Sequence, residues 1–374
     1  MIETAVGRAS AGRTRDWPDG IRRVDSDIID LSGDGLWEET SDSVRASTIS
    51  KLQDHLADHY TRRPGVAALC EAVADWLADR NVAVDPSSEV VISNGAREAR
   101  FVALRELAKE SAVLLPSPWM RDHYDAARRL AKADIRTFDA ASGSEPEATE
   151  GDVLVLPNPN PATGQLYDAE ALDRLAGWAR EFDLTVVADE TLAPWLKAQF
   201  SHSPFAALPG MRDRTLTLGS FGRVSGLNAW KVAWFAGPKE LVTRVRDLKQ
   251  AMTICSSAPS QYAALAGFAD AEADLDQRIE RVKAVEALLD RLGIPYLRPH
   301  TVAFVVADVS ALGGSDRVTA ACLQNGVRVL GGSHFGSPGK IRITASNLRF
   351  KEGVDRLEQA FEALKEEKEG SDEG

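Results

Sequence analysis

Two basic side chains of different chemistry share one loop. In Gly219-Ser220-Phe221-Gly222-Arg223-Val224-Ser225-Gly226-Leu227-Asn228-Ala229-Trp230-Lys231, Arg223 and Lys231 follow a short apolar run. An ε-amine can lose its proton and attack a carbonyl carbon, whereas a guanidinium stays charged and its lone pairs are delocalised. Arg223 can stabilise a negative intermediate but is a poor base. A second feature, Ser93-Asn94-Gly95-Ala96-Arg97, is a glycine turn feeding a helix. Unpaired N–H groups and the helix dipole favour an anion there. Third, Val186-Val187-Ala188-Asp189-Glu190 ends a buried strand in carboxylates, and Lys340-Ile341-Arg342-Ile343 sets a planar, carboxylate-matching fork in another apolar run. Asn158-Pro159-Asn160-Pro161-Ala162-Thr163-Gly164 is a Pro/Asn turn after a strand.

Other chemistries lack support. His55 and His59 are four residues apart but without a His-Glu-x-x-His pattern, and the remaining histidines are scattered, so no metal site is expected. Cys70, Cys255 and Cys322 are too far apart for a zinc knuckle or a disulfide framework. The Gly219 to Gly226 loop has neither the Walker nor the Rossmann glycine pattern. With 374 residues, 44% of them apolar and 27% charged, the chain has material for a large α/β domain and a second one. A net charge of -12 disfavours nucleic acid and anionic membranes. No apolar window is long enough to span a bilayer, and the polar start of the chain lacks a signal-peptide core, so a cytoplasmic location is expected.

The elements that must position these residues follow from periodicity. Val66, Leu69, Val73, Trp76 and Leu77 fall on one helical face. Strands are expected at Glu89 to Ser93, Ser111 to Leu115, Val153 to Leu156, Leu184 to Ala188, Thr215 to Leu218 and Val232 to Ala236. A helix from Ala169 to Phe182 lies between two of them. Such alternation implies a mostly parallel sheet covered on both faces, with ligands at the carboxyl ends of its strands. Beyond Pro238 the pattern gives a long helical stretch to about Leu292, strands at Val302 to Val306 and Lys340 to Thr344, and helices near Asp316 to Gln324 and Lys351 to Leu364. The first thirty residues and the tail from Lys365 look solvated.

From about Ile28 to Leu364 these strand-end loops resemble, in order, those of the class I/II aminotransferase family of fold type I pyridoxal-phosphate enzymes. The resemblance implies an α/β fold: a large domain with a mostly parallel seven-stranded sheet covered by helices, plus a smaller α+β domain. It implies a division into an N-terminal arm with part of the small domain (1–45), a large cofactor-binding domain (46–240) and a C-terminal small domain with its connecting helix (241–374).

It also implies roles. Gly95, Ala96, Arg97, Ser220 and Lys231 would take the cofactor phosphate, joined by Tyr60 of the partner subunit in a homodimer with shared active sites; Tyr60, Gly65 and Leu69 match the family's Tyr-x4-Gly-x3-Leu element. Trp119 would stack on the pyridine ring, Asn160 would bond its phenolic oxygen, and Asp189 would pair with the protonated ring nitrogen, which makes the ring an electron sink. Arg342, with Gly35 and Asn160, would hold the carboxylate of an amino-acid or oxo-acid substrate. His123 and Tyr124 are candidates to approach the site.

Two departures weigh on mechanism. Leu192 stands where the family has a tyrosine, and Arg223 stands where it has the Schiff-base lysine, with Lys231 in place of a phosphate-binding arginine. Catalytic roles would then fall to Arg223, Lys231 and Asp189. Three readings are open. Pyridoxal 5'-phosphate or pyridoxamine 5'-phosphate is held without an internal aldimine and reacts directly with the substrate; or Lys231 becomes the anchoring amine; or the cofactor has been lost and the cleft serves a cofactor-independent enzyme or a noncatalytic carboxylate-binding protein. Retention of Asp189, Asn160 and Gly95 favours the first, which is the expectation carried forward. Loss of the lysine and the tyrosine favours the third.

Overall fold

The computed structural model describes residues 27–33, 40–109, 111–140, 143–221, 226–269 and 275–372. After a short strand β1 (Ile29–Asp30), helices α1 (Asp42–Gln53) and α2 (Ala67–Ala78) lead into the large sheet. Its strands are β2 (Val90–Ser93), β3 (Val113–Pro116), β4 (Ile135–Phe138), β5 (Val153–Pro157), β6 (Thr185–Asp189), β7 (Thr215–Ser220) and β8 (Ala233–Ala236). They lie in the order β2-β8-β7-β6-β5-β3-β4, parallel except for β8, which is antiparallel to both neighbours. The sheet is thus mostly parallel, as the alternation of elements implies, and seven-stranded, as the family resemblance implies. Its edge strand β4 escapes the periodicity reading because Arg136 and Thr137 are exposed.

Burial on both faces explains the uninterrupted apolar runs. Val113, Leu115, Val153, Val155 and Val187 point into one core with helices α3 (Ala96–Leu107), α4 (Arg121–Ala131) and α6 (Lys239–Thr253). Leu114, Leu154, Leu156, Val186 and Ala188 point the other way, against α5 (Ala169–Glu181). On that same face α2 and α7 (Ala258–Ala269) cover the β2–β8 end through Leu69, Val73, Leu77, Ala263 and Ala264.

The remaining elements make a second core. Helix α8 (Leu275–Leu292) precedes β9 (Tyr296–Leu297) and β10 (Phe304–Asp308); α9 (Ser315–Gln324), β11 (Val327–Arg328), β12 (Leu330–Gly331), β13 (Lys340–Thr344) and α10 (Phe350–Asp372) follow. The antiparallel sheet β12-β13-β10-β9 packs on α8, α9 and α10, and β1 pairs with β11. Among the described residues the helical stretch after Pro238 is three helices. The tail is also helical: α10 runs to Asp372, and Lys365 donates to the Leu292 carbonyl at 3.0 Å. Among the described residues no helix is long and apolar enough to cross a membrane.

One glycine matters for how β7 delivers its end to the site. Gly219 faces Trp234 across the β7–β8 ladder, and a methyl group at this position would overlap the indole. Gly219→Ala is expected to lower the unfolding free energy by about 1–3 kcal/mol, the range for overpacking a filled core, measurable by urea denaturation.

Candidate functional site

The carboxyl ends of the parallel strands, the first turn of α3 and the β12–β13 edge of the second unit enclose a cleft of about 800 Å³. Gly95 caps α3 with φ +85°, a conformation that favours glycine. The first-turn N–H groups of Ala96 and Arg97 have no intrahelical acceptor, and both residues line the cleft. Glu98 takes up the preceding donor, Asn94 N–H, at 2.6 Å, leaving the turn itself open to the cavity. Ser220 at the end of β7 and the exposed Lys231, in a left-handed conformation, complete this donor-bearing end, where Arg97 is paired with Asp122 at 3.1 Å.

At the opposite end stands Arg342. It lies on β13, between β10 and β12, and is 2% exposed. The inner strand of a small sheet holds it rigidly: its Nη1 donates to the Pro161 carbonyl at 2.8 Å, its Nη2 to the Ser32 carbonyl at 3.4 Å, and the guanidinium lies 4.6 Å over Phe304. Ser32, Gly33, Met120, Leu330 and His334 close the cleft around it. None of these five was singled out as a site residue from sequence; Met120 caps α4, and the other four come from short segments whose place depends on the packing of the two units.

Asp189 is where β6 should leave it, but its carboxylate is already occupied. The Arg100 Nε donates to one oxygen at 2.6 Å and its Nη2 to the other at 3.3 Å. Tyr124 Oη donates at 2.7 Å and Thr191 Oγ1 at 2.7 Å. Asp189 is 1% exposed and Arg100 is 6% exposed. Burial alone would raise the Asp189 pKa; the adjacent Arg100 charge and hydrogen bonds outweigh it and hold the carboxyl well below the usual carboxylate range. The Tyr124 phenol is pushed well above its ordinary value by burial and then by Asp189. Arg100, not Asp189, borders the cleft.

The other sequence-derived candidates divide. Gly95, Ala96, Arg97, Ser220, Lys231 and Arg342 are brought together around the cleft, as is His123. Asn160 is buried beside it. Its amide donates to the Pro118 carbonyl at 2.9 Å and Tyr167 Oη at 3.2 Å, and its carbonyl accepts from Ala162 N–H at 2.8 Å. Trp119 is half-buried against the large-sheet core, its ring 6.4 Å from Tyr124, while the neighbouring Met120 and Asp122 face the cleft. Tyr60 lies outside the cleft of its own chain and is 82% exposed. Leu192 is buried in the second core. Arg223 and Gly35 lie outside the described residues.

A pyridoxal phosphate can be tested against this geometry. The phosphate end fits, since the α3 turn and Lys231 supply N–H donors and positive charge. The ring end does not, because the carboxylate meant for the ring nitrogen is bonded on both oxygens by the chain's own guanidinium, and the Asn160 amide is spent on Pro118 and Tyr167. Two anion-binding ends with a neutralised floor between them can bind and orient a small anionic molecule.

A family model described as aminotransferase class I and II matches residues 26–359. An aspartate aminotransferase of Pinus pinaster is 26% identical over 92% of this chain and 77% of its own length. The aromatic-amino-acid aminotransferase 2 of Thermococcus litoralis is 26% identical, covering 83% of this chain and 85% of that one. Among solved structures, the N-succinyldiaminopimelate aminotransferase of Mycobacterium tuberculosis superposes with a TM-score of 0.81 at 25% identity, covering 89% of this chain and 93% of that one.

Proposed function

Because this chain belongs to the aminotransferase class I and II family, we propose that it keeps the family's cleft for a small amino or oxo acid while dispensing with the cofactor's covalent chemistry. The observation that carries this reading is the buried Arg100–Asp189 pair at 2.6 Å. A pyridinium and a guanidinium compete for the same carboxylate, and the guanidinium is tethered to the chain, always charged and already desolvated. Arg223, which follows β7 in sequence, adds to this, since it cannot act as an amine nucleophile. In this reading Arg342 grips the ligand carboxylate with its planar fork. The α3 turn and Lys231 hold a second anionic group, and Arg100 presents a fixed, neutralised surface between them.

A second reading, in which pyridoxal or pyridoxamine phosphate is held without a covalent bond, is favoured by one feature, the intact anion turn at Gly95 with φ +85°. One experiment separates the two. The purified protein is incubated with pyridoxal phosphate, desalted, scanned in the visible region, and titrated calorimetrically with amino and oxo acids in both states. We expect no retained chromophore and carboxylate binding that is equal with and without the incubation. Stoichiometric retention of the cofactor would overturn the proposal.

The exposed Tyr60 supports a homodimer in which this residue reaches the cleft of a second copy; an 82% exposed aromatic is a natural partner contact. Sedimentation equilibrium should give twice the mass of one chain, and Tyr60→Ala should weaken phosphate binding without changing the fold.

A further inference from the structure

Glu190, next to Asp189 in sequence, points to the opposite face of the large sheet and serves none of the contacts described above. It is 2% exposed. One carboxyl oxygen accepts from Phe205 N–H at 2.9 Å, and the other has no hydrogen-bond donor. The nearest basic ring nitrogen, His202 Nε2, is 3.7 Å away, beyond hydrogen-bond reach. Glu190 borders a small cavity of about 90 Å³, walled by Trp76, Phe221, Trp234 and Phe268. The indoles of Trp76 and Trp234 meet edge to face at 5.8 Å, and Phe221 and Phe268 do so at 5.4 Å.

An unpaired, buried carboxyl oxygen is costly unless something satisfies it, and aromatic faces attract positive charge through their quadrupole. We propose that this cavity is a binding site for a small organic ammonium ion, with Glu190 as its counter-charge and the four aromatic rings as its walls. The volume admits an ion of the size of methylammonium to trimethylammonium, since a water's share of liquid volume is about 30 Å³. The site is separate from the Arg342 cleft; among the described residues only Ser220 borders both.

The charges around Glu190 are consistent with this assignment. Arg80 lies 4.0 Å over the Trp76 ring and donates to the Trp76 carbonyl, without an ion pair to Glu190. Burial pushes the Glu190 carboxyl up to about 8 against the opposing Phe205 N–H bond and Arg80 charge, with Asp189 adding to the rise, while burial and Arg80 push His202 down to about 4 and leave it neutral. Without a ligand Glu190 therefore carries a proton at neutral pH. A bound ammonium ion would displace it, so binding should tighten as pH rises through about 8.

The test uses the full chain and its tryptophan fluorescence, which Trp76 and Trp234 report from the cavity wall. Titration with methylammonium and trimethylammonium should give a saturable change, stronger at pH 9 than at pH 7. Glu190→Gln should weaken it at least about tenfold, as loss of a buried charge partner does, and Trp76→Leu by about 2- to 30-fold. Arg342→Ala should leave it unaltered. Should Glu190→Gln fail to fold, the pH dependence of the unaltered chain still decides. No saturable change with either ion, or binding unaffected by both Glu190→Gln and pH, would overturn the proposal. Because Arg342 takes no part, this failure is distinguishable from failure of the carboxylate-binding reading.

Discussion

Asp189→Leu and Arg100→Leu should each lower the unfolding free energy by about 3–5 kcal/mol, the range for removing one partner of a buried ion pair. Asp189 is 1% exposed and holds Arg100 through both carboxylate oxygens, so the carboxylate cannot turn to water when the guanidinium is removed, and Arg100, at the cleft border, is itself only 6% exposed. The loss comes chiefly from the uncompensated group left behind, not from the attraction itself. The apolar double variant Arg100→Leu/Asp189→Leu should therefore recover much of the deficit, leaving a large coupling energy in the double-mutant cycle. Urea unfolding of the four proteins decides it. Single variants costing less than about 1 kcal/mol, the value of a solvated pair, would mean that the guanidinium is not locked on the carboxylate and that the ring-nitrogen contact is available after all.

The same pair predicts an acid dependence. The folded-state pKa of Asp189 lies below its unfolded value of about 4. Its contribution is then fully present above pH about 4 and is lost as pH falls toward the folded value, because the unfolded chain takes up the proton first. Unfolding free energy measured from pH 5 down to pH 2 should fall less steeply in Asp189→Asn than in the unaltered chain.

Much of the cleft was legible because its parts announce themselves locally. A glycine turn after a buried strand, a carboxylate closing an apolar run and an arginine inside another are each readable within a handful of residues. The pairing of Arg100 with Asp189 was not, since the two lie on α3 and β6 and meet only when helix and sheet pack. A signal existed nonetheless. Arg100 shares the face of Ala103, Leu104 and Leu107 at spacings of three, four and seven, so a charged residue sits on the apolar stripe of α3. A charge there requires a buried partner. Trp119 shows the converse difficulty: an aromatic after a strand can turn toward a ligand or toward the core, and sequence does not distinguish the two when the adjacent Met120 and His123 are equally able to line the cavity.

Arg342 carries the second large effect. Its side chain is held from below by the carbonyls of Pro161 and Ser32 and from one face by Phe304, so its orientation does not depend on a ligand. Such preorganisation means that little conformational entropy is lost on binding, and the planar fork can meet a carboxylate with two parallel N–H donors. Arg342→Ala should weaken calorimetric binding of an amino or oxo acid by about 30-fold or more, as truncating a buried charged partner does. Arg342→Lys should recover only part, because a point charge cannot reproduce the bidentate geometry. Inorganic phosphate binding at the α3 turn should survive both changes, since that end relies on Ala96, Arg97 and Lys231. If Arg342→Ala instead left carboxylate binding intact while Lys231→Ala abolished it, the ligand would have to lie reversed in the cleft, with its carboxylate at the helix turn. The guanidinium on β13 would then serve only to join the two units through Pro161 and Ser32.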